Sequence, residues 1–200
     1  MSNKDQPLGL IPVRHKNGAP YNGACMPYYV PSDYAVALFI GDCVIVTGTS
    51  NDTAFEGNPP GVLPEINKAT AAGGTYISGV IVGFGADADN LSKIYNPAST
   101  ERIVYVADDP DLVFEVQEDS GGDVLDATDV GLNADLVFTH SGSTITGKSG
   151  MELDRSTIAT TNTLQLNVLR LVNRVDNDLG DSAKWEVMIN LHTQRYLTGI

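Results

Sequence analysis

Arg102-Ile103-Val104-Tyr105-Val106-Ala107-Asp108-Asp109-Pro110-Asp111-Leu112-Val113-Phe114-Glu115-Val116-Gln117 decides the fold class. Two short runs rich in β-branched and aromatic residues flank an acidic break, and runs of that length bounded by turn residues read as strands. In the second run Leu112, Phe114 and Val116 alternate with Val113, Glu115 and Gln117, which predicts one covered and one wetter face. Asp109-Pro110 initiates a turn, and Asp stabilises turns by bonding its own backbone.

The same pattern extends outward in both directions. Upstream lie Val36-Ala37-Leu38-Phe39-Ile40, then Gly41-Asp42 and Cys43-Val44-Ile45-Val46-Thr47, and further on Tyr76-Ile77-Ser78-Gly79-Val80-Ile81-Val82-Gly83-Phe84. Downstream, Leu164, Leu166 and Val168 share one strand face. Trp185, Val187, Ile189 and Leu191 share another, with Lys184, Glu186, Met188 and Asn190 opposite. Clusters of Gly, Asn, Asp, Ser and Thr at 48–52, 57–61, 86–90, 120–123 and 141–143 divide the runs. Short strands so punctuated predict a mainly β fold, an antiparallel barrel or sandwich over residues 35–200. Helix is confined to a turn or two near 64–72 or 125–129. No repeat of fixed period is present.

Residues 1–34 differ. Pro7, Pro12, Pro20, Pro27 and Pro31 each fix their own φ and bias the preceding residue to extended conformations. That excludes helix and argues against a regular central strand. Leu8, Leu10, Ile11, Val13, Tyr21, Tyr28 and Tyr29 make the segment too apolar for a solvated linker. It therefore reads as an extended N-terminal arm that lies either on its own barrel or on a neighbouring subunit.

Two hundred residues suffice for one core, and the 42% apolar share is that of a globular chain. Twelve Lys and Arg against 25 Asp and Glu give a net charge of -13. Such a surface repels nucleic acid and anionic membranes and suits a basic protein partner. The polar start Met1-Ser2-Asn3-Lys4-Asp5 leads into no apolar stretch, and the longest apolar runs are too short to span a bilayer. Synthesis and use in the cytoplasm are expected. Cys25 and Cys43 form no disulfide framework and match no zinc spacing. His15, His140 and His192 are scattered, without metal-site spacing.

The acidic groups Asp108, Asp109 and Asp111, and Glu118, Asp119, Asp123, Asp126 and Asp129, lack the register of an EF-hand and read as solvated turns. No Gly-x-Ser-x-Gly elbow is present, and Gly83-Phe84-Gly85 continues into no phosphate loop. The tyrosines are not interleaved with basic residues, as a single-strand stacking platform requires. These readings predict neither catalytic residues, nor a cofactor, nor a metal. A carbohydrate-binding β-module would need exposed aromatics, and Trp185, the only tryptophan, sits in an alternating strand.

Several phrases taken together resemble a known group. They are Pro7-Leu8-Gly9-Leu10-Ile11-Pro12-Val13-Arg14-His15, Tyr28-Tyr29-Val30-Pro31, Phe39-Ile40-Gly41-Asp42, Gly79-Val80-Ile81-Val82-Gly83-Phe84, and Val106-Ala107-Asp108-Asp109-Pro110-Asp111 continuing through Gln117-Glu118-Asp119. Asp129-Val130-Gly131-Leu132-Asn133-Ala134 and Leu169-Arg170-Leu171-Val172-Asn173-Arg174 belong to the same set. The likeness spans nearly the whole chain and is to capsid cement (head decoration) proteins of tailed bacteriophages. It implies a virion structural protein on the capsid exterior, partnered by the major capsid protein and by itself as a homotrimer. Another phage structural part, such as a head-fibre base or tail protein, is the alternative. On this reading Leu10, Ile11, Tyr21, Tyr28 and Tyr29 anchor the arm on a capsid or subunit interface, with Arg14 pairing an acidic group there.

Overall fold

The computed structural model describes residues 3–87, 90–122 and 124–195. Among these, the strands in chain order are β1 (Ile11–His15), β2 (Met26–Val30), β3 (Cys43–Ser50), β4 (Pro64–Lys68), β5 (Gly79–Phe84) and β6 (Arg102–Ala107). They continue as β7 (Leu112–Gln117), β8 (Asn133–Phe138), β9 (Met151–Ala159), β10 (Leu166–Leu171) and β11 (Lys184–Ile189), before a 3-10 turn at Thr193–Arg195. Among the described residues no helix is long and apolar enough to cross a membrane.

The chain is mainly β, in two sheets. Strands β2-β4-β3-β5-β6 close into a barrel, and β1-β7-β11-β10-β8-β9 form a six-stranded sheet. All neighbours are antiparallel except β2 and β4, which run parallel and meet at Tyr29 and Glu65. Closure leaves the barrel without the free edge on which an open sheet recruits other chains.

Alternation along the strands assigns each residue to one of two cores. In β5, Ile81 points into the barrel with Tyr28, Val30, Leu38, Val44, Ile66, Val104 and Val106. Its neighbour Val80 points the other way, into the layer between barrel and sheet, with Cys43, Phe114, Val116, Trp185 and Val187. Trp185 is fully buried there, and its indole N–H donates to Glu118 at 2.9 Å. The acidic break at 108–111 therefore carries the chain from barrel to sheet; it does not join a hairpin.

Four expectations are corrected. Residues 1–34 are not an arm. Strand β1 is an edge of the six-stranded sheet, where Pro12 costs no internal hydrogen bond, and β2 is a barrel strand paired with β6 from Met26 to Val30. Because β2 meets β4 only at Tyr29, the stretch around Pro27 has a neighbour on one side, so the proline is tolerated. Strand β7 has no wet face. It lies between β1 and β11, and Asp5, Gln6 and Arg174 cover its polar side. Residues 36–40 make only single bridges, Leu38 to Asn96 and Ile40 to Lys148. Residues 64–68 are strand rather than helix, and 125–129 is turn.

Candidate interaction surface

The turn Gly41-Asp42 precedes β3 and drives a carboxylate into the protein. Asp42 is fully buried; it accepts from the Phe39 N–H at 2.8 Å and the Ser149 hydroxyl at 2.5 Å, and its Oδ1 lies 3.0 Å from Lys68 Nζ. Burial raises the Asp42 carboxyl above the usual carboxylate range, against the pull of Lys68, Ser149 and the Phe39 amide. Lys68, at the end of β4, also stands over two rings, 5.9 Å from the centre of Phe39 and 5.3 Å from that of Phe138. Phe39 in turn stacks on Tyr95, with centroids 5.1 Å apart and planes at 10°. One buried ion pair thus fixes an aromatic floor.

Above this floor lies an open recess of about 340 Å³ lined chiefly by Val36, Ala37, Tyr95, Pro97, Ala98 and Gly142. Val36 in its wall is exposed, as are Leu91 and Ile94 in the segment that leads to Tyr95, Phe138 at the end of β8, and Ile145 in the segment that follows Thr144, with Leu91 82% and Ile145 87% exposed. Exposed apolar side chains beside an open aromatic recess on an otherwise acidic chain make this face the candidate interaction surface.

The residues that sequence reasoning proposed for an interface are elsewhere. Leu10, Tyr28 and Tyr29 are buried, and Ile11 is half-buried in β1. Tyr21 packs half-buried on the main core, its hydroxyl donating to the Ala24 carbonyl. Tyr28 donates to Asp108 at 2.9 Å and Tyr29 to Glu101; burial and these carboxylates raise both phenols above their ordinary value. Arg14 pairs with Glu186 at 2.6 Å within its own sheet. Leu10, Tyr28 and Tyr29 are used in the chain's own cores, while Met26 is 55% exposed. The recess was missed because its walls come from separate loops, although Leu91, Ile94 and Ile145 stranded among polar loop residues were a readable sign.

The acidic groups behave as turns and local ion pairs. Asp109 lies 3.0 Å from His15 and Asp111 2.9 Å from Arg195, while Asp126 and Asp129 bond within their own turn. Asp123 lies outside the described residues. Glu118 and Asp119 face the buried Arg155, whose Nη1 also reaches Asp181 at 2.8 Å.

Burial pushes Glu118 up to about 7 from an ordinary 4.5, against the pull of the Trp185 indole, Arg155 and the Leu125 backbone. A carboxyl raised in the fold stabilises it fully below the unfolded value of 4.5, and that contribution is lost as pH rises through about 7. Glu118→Gln should therefore gain on the native protein by up to about 1.4 kcal/mol per pH unit across that interval. Urea denaturation over the same interval measures this, and parallel profiles for the two proteins would contradict the assignment.

Compared with known protein families, with curated proteins and with solved structures, the chain matches none. The resemblance to phage cement proteins rests on the motifs quoted above. Two of them meet in space: Leu10 donates its N–H to the Gly41 carbonyl at 3.0 Å, which joins the Pro7–His15 phrase to Phe39-Ile40-Gly41-Asp42.

Proposed function

We propose that this chain is a cement protein of a tailed-phage head, docking on the capsid exterior through the recess around Phe39 and Tyr95. The observation that carries the reading is the open aromatic recess at Phe39 and Tyr95, with Leu91, Ile94, Phe138 and Ile145 exposed in the segments that lead to or from it, on a chain of net charge -13. The sequence resemblance supplies the class of partner, the major capsid protein, and the arrangement as a homotrimer. An acidic protein suits the outer face of a shell filled with DNA, since nucleic acid repels it. Clamping neighbouring capsomers opposes the outward load of packaged DNA.

The candidate anchors need no arm to order. The recess floor already rests on the Asp42–Lys68 ion pair, so docking avoids the roughly 1–2 kcal/mol per residue that fixing a loose backbone costs.

The test mixes purified protein with expanded heads that lack it and images them by electron cryomicroscopy. Regular density outside the shell, with threefold symmetry, is the expected result. A double variant, Leu91→Asp with Ile145→Asp, changes only solvent-facing residues and should lower occupancy at least about tenfold, as loss of interface hot spots does. A bare shell under saturating native protein overturns the proposal and leaves a different virion part or a sugar-binding module.

A further inference from the structure

Three donors from distant parts of the chain converge where the N-terminal segment meets the loop end of the β8–β9 ladder. Asp5, His140 and Glu152 place ligand atoms within 4.8 Å of one another. Asp5 comes from the segment before β1, His140 follows β8, and Glu152 is the second residue of β9, paired with Val137. We propose that these three residues bind a divalent transition-metal ion, with Zn²⁺ the ion whose preferences fit best.

The site has the supporting partners that metal ligands require. Gln117 Nε2 donates both to Asp5 at 2.9 Å and to Glu152 at 2.7 Å, so one amide orients both carboxylates. The Thr139 hydroxyl donates to the other oxygen of Glu152 and lies 3.1 Å from His140 Nδ1. Glu152 is 3% exposed, and burial together with the nearby Asp5 raises its carboxyl. Among the described residues, neither Asp5 nor Glu152 forms an ion pair with Lys or Arg. Two carboxylates sharing a donor, one of them buried, want a cation. Gly150 permits the arrangement: a Cβ there would stand 2.0 Å from the His140 carbonyl oxygen and 2.5 Å from its Nδ1.

Ligand chemistry selects the ion. Two carboxylates and a neutral imidazole supply charge -2 and three donors, which leaves one tetrahedral position for water. Calcium and magnesium seek six or more oxygens and gain little from an imidazole. Bonds of about 2.0–2.2 Å put donors about 3.5 Å apart, so the cluster must close by about one ångström. Asp5 and His140 are exposed and can shift by that much, while Glu152 is buried and held by Gln117 and Thr139. Bound metal would tie the N-terminal segment to the loop that supplies Ser141, Gly142 and Thr144 to the recess.

Calorimetric titration of the full, tag-free chain with Zn²⁺ in a non-coordinating buffer tests this. Native protein should bind one ion, and His140→Ala and Asp5→Ala should each weaken that site at least about tenfold, as expected for lost ligands. Zn²⁺ should raise the melting temperature of the native protein but of neither variant. Each variant's melting with Zn²⁺ is compared with its own melting in chelator, so that any change from the lost Asp5–Gln117 hydrogen bond is subtracted. Titration with Co²⁺ should give the intense visible bands of a tetrahedral site. Zn²⁺ affinity unchanged by His140→Ala, or no binding by native protein, overturns the proposal.

Discussion

Asp42→Ala should lower the free energy of unfolding by about 3–5 kcal/mol, the range for breaking a buried ion pair from one side. The substitution strands Lys68 Nζ, the Ser149 hydroxyl and the Phe39 N–H together, each of which now bonds to this carboxylate. Lys68→Met should be similarly costly, because it leaves the Asp42 charge buried and opposed only by neutral donors. The double variant Asp42→Asn with Lys68→Met should recover much of the loss, since a neutral pair of similar volume replaces the charges. Urea unfolding of the native protein, Asp42→Asn, Lys68→Met and the double variant closes the cycle. Additive losses would mean that the two side chains do not act as a unit. The variants also bear on the proposed function: with the ion pair gone, the Phe39 loop and its stack on Tyr95 lose their support, so under that proposal head binding should weaken as well.

Gly9→Ala should cost about 2–5 kcal/mol, from backbone strain and overlap together. Gly9 has φ of 66° and Gly41 of 93°, conformations that side chains disfavour. A Cβ on Gly9 would also lie 2.6 Å from Ser149 Cβ and 2.7 Å from the Gly41 carbonyl oxygen, with no flexible end able to yield. Gly18 and Gly23 serve as controls, for they share the positive φ, at 90° and 87°, but nothing stands within 4 Å of a Cβ there. Alanine at either should show the strain alone, about 1–2 kcal/mol. Equal losses at Gly9 and Gly18 in thermal melts would refute the close approach of the N-terminal segment to the Gly41 turn.

These two sites show where sequence reading succeeds and where it stops. The β class is legible because alternation is local: Trp185, Val187 and Ile189 declare their face within six residues, and the structure buries all three. What lies on the other face is not local. Glu115 and Gln117 look solvent-facing in sequence, yet they are covered by Arg174 and Asp5, which no pattern within β7 reveals. The prolines of residues 1–34 carried a true message, extended backbone, but said nothing of what that backbone pairs with. Tyr28 and Tyr29 look like sticky anchors because both are aromatic, and burial in the chain's own core uses the same chemistry as burial in a partner. The recess and the metal cluster are harder still. Ser149 lies 107 residues from the Asp42 it bonds, and Asp5 reaches Glu152 through Gln117, 112 residues away from it in sequence.

The two sheets also divide the chain in time. The barrel draws its strands from one continuous stretch, β2 to β6, whereas the six-stranded sheet takes β7 to β11 and then reaches back for β1. A nascent chain emerges N-terminus first at roughly 5–20 residues per second, so the barrel can close while its eventual sheet partners are still unmade. Through that interval β1 has no strand to pair with, and Leu10, buried in the finished protein, has no complete core to enter. The partner β7 arrives next, but β11, which flanks it on the other side, comes last of all the strands. Pairings this distant are slow to form and leave unpaired edges open meanwhile. Strand β1 thus waits, unpaired, through the making of the entire barrel, until β7 follows it.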